Sequence, residues 1–218
     1  FAACLALAMA AGIEPPTGVE LASAAAAVAV GKRGTATCTV DELLATVSGG
    51  PVAPDREALA RRVALEKRRG RRIVFTNGCF DILHSGHVAY LEQARALGDV
   101  LVVAVNGDES VRRLKGPGRP VNALPDRLEV LSALASVDYV VSFDEDSPQA
   151  LIEALRPDVV AKGGDYSEET LPEAELVRGM GGEVRILPFV ADRSTTRIIE
   201  RIGARHEPTP AGVGPGAS

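Results

Sequence analysis

From Arg72 onward, five short runs rich in Val and Ile recur, at Ile73–Thr76, Val100–Val105, Tyr139–Ser142, Val159–Ala161 and Val184–Leu187. The stretches between them, 85–97, 108–114, 124–136, 147–155 and 170–180, carry helical patterning, and 194–202 adds a final helix. Strands that alternate with helices join through long crossovers, which implies a parallel sheet with right-handed connections. The expected fold class is therefore α/β: a Rossmann-like parallel sheet with helices on both faces, preceded by a short N-terminal helical fragment. Ligands of such sheets sit beyond the carboxyl ends of the strands, so chemistry is sought at the strand-to-helix junctions.

Upstream, residues 1–48 are rich in Ala and Val. They suggest a helix near 1–11, another near 19–30, a turn at Gly31–Thr35, a short strand, and a helix opening at Thr39 and Asp41. The first two helices are apolar nearly all round, as expected of elements buried in something larger. The apolar start lacks a basic leader and is too short to span a bilayer, so no membrane segment is expected. Residues 49–71 read as a linker, broken by Gly49-Gly50-Pro51 and Pro54, and a charged helix at 55–69 with Leu59, Val63 and Leu65 as its apolar side. The basic run from Lys67 to Arg72 reads as a solvated surface. The Pro- and Gly-rich tail, 204–218, is expected to be disordered.

A net charge of −5 over 218 residues argues against a nucleic-acid partner, and eight aromatic residues with no Trp offer no base-stacking platform. The three cysteines, Cys4, Cys38 and Cys79, match no zinc spacing and fit a reducing, cytoplasmic compartment. Phosphate recognition must then come from a local site.

The strongest local signal follows the first strand: Asn77, Gly78, Cys79, Phe80 and Asp81, then His84-Ser85-Gly86-His87 where a helix begins. A helix N-terminus presents backbone N–H groups without intrahelical partners, which suits an anion. His84 and His87, three apart, can project to one side of that first turn, and Gly86 allows a phosphate close to the backbone. Two surface or capping histidines are the plainer alternative. A metal site is a third option, although no nearby Cys or third His completes a ligand set.

A second junction, Arg193-Ser194-Thr195-Thr196-Arg197, precedes the last helix, where hydroxyls both cap and offer phosphate contacts. Weaker candidates share the same edge: Asn106 and Asp108 after the second strand, Lys115 and Arg119 in the next loop, and Lys162, Gly163, Gly164 and Asp165 after the fourth. Lys115 and Arg119 read equally well as parts of a mobile surface loop.

Residues 72–203 resemble the nucleotidyltransferases with a His-x-Gly-His signature, which include cytidylyltransferases and pantetheine-phosphate adenylyltransferase. The resemblance rests on Thr76-Asn77-Gly78, Phe80 to His84, Leu114-Lys115-Gly116, Arg119 to Asn122, Lys162 to Tyr166 and Ser194-Thr195-Thr196. It is strongest to domains that adenylylate D-glycero-β-D-manno-heptose 1-phosphate. Residues 1–48 resemble the end of a ribokinase-type sugar kinase, in the order found in bifunctional heptose enzymes. The kinase's own Gly-Ala-Gly-Asp motif is not among these residues, so kinase activity is not expected in this chain. Asp192-Arg193 departs from relatives, which often carry Gly shortly before Ser-Thr-Thr.

The resemblance implies ATP as a substrate, Mg²⁺ with it, and a small sugar phosphate as acceptor. His84, His87 and Lys115 would be catalytic. Asn77 to Asp81, Gly163, Asp165 and Ser194 to Thr196 would bind the nucleotide. Asn106, Asp108, Arg119 and Lys162 would face the acceptor. A homo-oligomer or a separate kinase chain is compatible with it. A CTP-dependent enzyme for a polyol phosphate, or a nucleotide-binding module without chemistry, are the alternatives to be weighed.

Overall fold

A computed structural model describes residues 1–32, 34–47, 50–164 and 171–188, together with Thr195, Ile198 and Ile199. Asp165, Ser194, Thr196 and the tail lie outside the described residues, as does most of the helix expected at 194–202.

Two helices open the chain, α1 (Ala2–Ala10) and α2 (Pro15–Val30), followed by α3 (Val40–Val47). The second starts earlier than its composition suggested, because Pro15 and Pro16 occupy its first turn, where a missing N–H costs nothing. The short strand expected before α3 does not form. Residues 34–39 hold no strand, and the Lys32 ammonium there donates instead to the Thr37 carbonyl and the Glu42 carboxylate. Leu7 and Val30 are left 71% and 85% exposed, an apolar surface with no cover among the described residues.

The next helix, α4 (Arg56–Arg68), is capped by Asp55, whose carboxylate accepts from the Ala58 N–H. Leu59, Val63 and Leu65 are buried, as the periodicity predicted. The segment before it is not a bare connector: Val52 bridges Val140 in parallel, with Ala53 N–H donating to the Val140 carbonyl and Val140 N–H to Pro51. The basic run that follows is exposed yet stitched down. Arg69 and Arg71 pair with the buried Glu66, and Arg72 pairs with Glu183.

Then strands and helices alternate as expected: β1 (Ile73–Gly78), α5 (Ser85–Arg95), β2 (Val100–Asn106), α6 (Asp108–Lys115), α7 (Leu124–Ser132), β3 (Tyr139–Phe143), α8 (Gln149–Leu155), β4 (Val159–Gly163), α9 (Ala174–Gly179) and β5 (Glu183–Leu187). The helix expected at 124–136 stops at Ser132, and that expected at 147–155 starts after Pro148, which cannot supply an internal helical N–H. All four pairings among the five strands are parallel, in the order β3-β2-β1-β4-β5.

Alternation within the strands splits the core in two. Ile73, Phe75, Val102 and Val160 face α4, α8 and α9, while Val74, Leu101, Val103 and Ala161 face α5 and α7. Burial on both faces explains why β2 reads as an unbroken apolar run. The direction of winding reverses between β1 and β4. A crevice opens at such a reversal, beyond the strand ends, so Asn77-Gly78 and Lys162-Gly163 mark the expected ligand position.

Candidate active site

Beyond the end of β1 the backbone turns sharply. Phe80 adopts a φ of 46°, a left-handed conformation that a bulky residue rarely takes and that costs about 1–3 kcal/mol. Its ring is buried beneath Gly78, where a Cβ would stand 3.1 Å from the ring, and packs 5.4 Å from the His87 ring. Gly78 is thus needed for close approach, and the turn aims α5 at the strand ends.

His84 caps α5 in an extended conformation, and its ring stacks on His87 with centroids 3.9 Å apart and planes 26° from parallel. The spacing of three therefore places both imidazoles together at the helix N-terminus. Burial, and then the charge of His84, hold the His87 pKa down to about 4, so His87 is neutral near pH 7. Its Nδ1 is buried and makes no hydrogen bond among the described residues.

The second junction reaches the same place. The Thr195 hydroxyl donates to the Ile82 carbonyl at 3.2 Å, two residues before His84. Lys115, exposed at the end of α6, acts on the half-buried Cys79 thiol together with Arg127 and Arg119. These cations oppose the burial that pushes the thiol upward.

Other expected site residues are engaged inside the protein. Lys162 donates to Asn77 Oδ1 at 2.7 Å and pairs with Glu173 at 3.3 Å, bridging β4, β1 and the start of α9. Asn106 is buried and donates to Ser110. Asp108 accepts from Arg127 at 2.7 Å, and Arg119 pairs with Asp81 at 2.5 Å. Gly163 ends β4, and Gly164 takes a φ of 122°. Gly107 lets Asp144 approach so closely that any Cβ there would collide with its carboxylate.

Three residues of consequence went unremarked in the sequence. Arg127 is fully buried and donates to the Cys79 carbonyl, the Asn122 carbonyl and Asp108. Tyr90, on α5, joins Thr76 Oγ1 and the Ala161 carbonyl. Glu173 holds Lys162. Tyr90 and Arg127 both lie on the buried faces of their helices, where periodicity could have flagged their burial but not their partners. Among the described residues no group of three or more His, Cys, Asp or Glu side chains converges on a metal position, and no helix is long and apolar enough to cross a membrane.

A helix N-terminus, two stacked imidazoles and a nearby hydroxyl meet beside the topological reversal, a combination that can hold an anion. Residues 75–201 match the cytidylyltransferase-like family. The bifunctional protein HldE of Alcanivorax borkumensis is 52% identical over 205 residues, which cover 91% of this chain and 42% of that protein. HldE of Azotobacter vinelandii is 53% identical over 204 residues, covering 91% and 43%. The chain thus spans about two fifths of the length of the curated relatives it matches. A solved lipopolysaccharide core biosynthesis protein from Thermoplasma volcanium GSS1 is 33% identical, covers 56% of this chain and 98% of its own, and aligns with a TM-score of 0.46. With its five-stranded parallel sheet, its histidine junction and a family match over residues 75–201, the chain belongs to the cytidylyltransferase-like family.

Proposed function

We propose that this chain transfers AMP from ATP to a sugar 1-phosphate, giving an ADP-sugar and pyrophosphate. The observation that carries the reading is the stacked His84–His87 pair at the N-terminus of α5, beside the reversal between β1 and β4. The likeness to HldE, the bifunctional heptose kinase and adenylyltransferase, favours D-glycero-β-D-manno-heptose 1-phosphate as the acceptor and ADP-heptose as the product. Residues 1–48 are then the end of the kinase half, and the chemistry of this chain resides in 72–203.

The acceptor's phosphate oxygen attacks the α-phosphorus in line, and the bond to pyrophosphate breaks. A phosphate monoester is largely dianionic near pH 7, its second pKa being about 6, so no general base is required. The protein aligns two anions and stabilises the charge that builds on the α-phosphate and the leaving group. His84 and His87 donate to the ATP phosphates with the helix N-terminus behind them. Lys115 covers the α-phosphate, and Ser194, Thr195 and Thr196 hold the outer phosphates. Asn106, Asp108, Arg119 and Lys162 shape the acceptor side, and Asp165 the nucleotide side. Mg²⁺ would accompany ATP and neutralise part of its phosphate charge.

The test is pyrophosphate release with ATP or CTP, each offered heptose 1-phosphate or glycerol 3-phosphate. Release with ATP and the heptose alone is expected. Release with CTP and glycerol 3-phosphate keeps the chemistry and replaces the substrates. ATP binding without release under any pairing rejects the catalytic reading in favour of a binding module.

A further inference from the structure

We infer that Asp81 and Arg127 are positioning residues that pin the 119–122 loop onto the 79–81 turn, fixing the wall of the site against which the histidines and Lys115 work. The inference rests on the nucleotidyltransferase reading for its effect on turnover, but the pin itself is a matter of geometry.

Asp81 has almost nothing left to offer a ligand. Its side chain is 1% exposed. One carboxylate oxygen accepts from Arg119 Nε at 2.5 Å, and the other accepts the backbone N–H groups of Val121 and Asn122 at 2.7 and 3.0 Å. Its own carbonyl accepts from Asn122 Nδ2 at 2.6 Å. An ionised carboxylate only accepts hydrogen bonds, so it repels a phosphate and cannot serve one. The same four contacts hold the loop from Arg119 to Asn122 in one place.

Arg127 closes the pin from the other side. Its side chain is 1% exposed, and its fork donates to the Cys79 carbonyl at 2.5 Å, the Asn122 carbonyl at 3.1 Å and Asp108 at 2.7 Å. One planar guanidinium thus ties the turn, the loop and the first turn of α6, which a lysine cannot do from a single nitrogen. The charges of Asp81, Arg119, Asp108 and Arg127 cancel, so the group supplies shape more than field. Lys115, which forms no ion pair among the described residues, is the cation left to meet phosphate.

The full chain carrying Asp81→Asn, Arg119→Ala, both together, or Arg127→Lys tests this through two readouts. The first is hydrogen–deuterium exchange at the Val121 and Asn122 amides, which needs no substrate. Asp81→Asn is expected to speed it about tenfold or more, since those amides lose their charged acceptor. The second is steady-state kinetics. Turnover should fall roughly tenfold to a hundredfold in Asp81→Asn and Arg127→Lys, as expected of a misplaced site, while KM for ATP stays within about threefold. The Asp81→Asn and Arg119→Ala losses should add to less than their sum, because both remove the Asp81–Arg119 pair. Additive losses seen mainly in KM, with exchange unchanged, would make Asp81 and Arg119 substrate ligands and overturn the pin. If Asp81→Asn does not fold, Arg119→Ala and Arg127→Lys decide by the same criteria. Faster exchange in a protein whose parent never releases pyrophosphate would uphold the pin and reject the activity. Unchanged exchange with normal turnover would do the reverse.

Discussion

The Lys162 ammonium, at the end of β4, donates to the side-chain oxygen of Asn77 at the end of β1, 2.7 Å away. This bond spans the place where the sheet reverses direction, and Glu173 on the start of α9 supplies the counter-charge. A residue expected on the acceptor side thus also knits the floor of the site. Burial lowers the Lys162 pKa and Glu173 opposes that shift, as for a cation kept charged by its partner.

Replacing Lys162 by Met should therefore destabilise the fold. Both side chains are nearly enclosed, at 12% and 9% exposure, and the substitution strands Glu173 without a cation. Breaking one side of a buried pair costs about 3–5 kcal/mol. Adding Glu173→Leu should recover most of the loss in a thermal melt. If the single variant melts like the parent, the pair carries no stability.

His87 makes the site respond to pH. Its folded pKa of about 4 lies below the ordinary 6.5, so the unfolded chain binds the extra proton across that interval. Its contribution therefore favours the folded state above the interval and is lost as pH falls through it. A bound triphosphate brings negative charge that raises the pKa again. ATP binding near pH 5.5 should consequently take up a proton, measured by calorimetry in buffers of differing ionisation enthalpy. His87→Ala should abolish that uptake and cut turnover by about a hundredfold. Binding without proton uptake in the parent would show that the phosphates do not meet this imidazole.

The sheet and the histidine junction were readable because both are local signals. Runs such as Val100–Val105 declare buried strands, and His84 and His87 declare a shared helical turn by their spacing alone. Arg127, Glu173 and the Asp81 contacts were not readable. Each depends on groups brought together from distant segments, such as Arg127 with Cys79, 48 residues apart, and no periodicity records such a meeting. The absent strand before α3 failed for a related reason: Lys32 and Glu42 settle that turn through side chains.

Tyr90 anchors the helix that carries the histidines to the sheet. Its hydroxyl lies 2.7 Å from Thr76 Oγ1 and donates to the Ala161 carbonyl at 3.1 Å, joining α5 to β1 and β4. Burial pushes the phenol to about 12, so it remains a donor throughout the working range. Tyr90→Phe leaves buried polar atoms short of a partner at a cost of about 1–3 kcal/mol. The melting temperature should drop by several degrees, at about 2–4 °C per kcal/mol for a chain of this size. An unchanged melt would mean that Thr76 and Ala161 satisfy one another without it.

The segment around α4 looks like a charged spacer, yet Leu59 is fully buried and joins the same core cluster as Phe75, Val102 and Ile152. The Val52 bridge lies beside it, laid along β3 at the edge of the sheet. If α4 belongs to this core, Leu59→Ala creates a cavity under the sheet and costs about 2–5 kcal/mol, comparable with Leu151→Ala on the neighbouring helix. Arg61→Ala, on the exposed face of the same helix, should stay within about 0.5 kcal/mol. Denaturant melts of the three variants separate the possibilities. Equal, small losses for Leu59 and Arg61 would make α4 a spacer, whereas parallel losses for Leu59 and Leu151 place the start of the folding unit before Arg56.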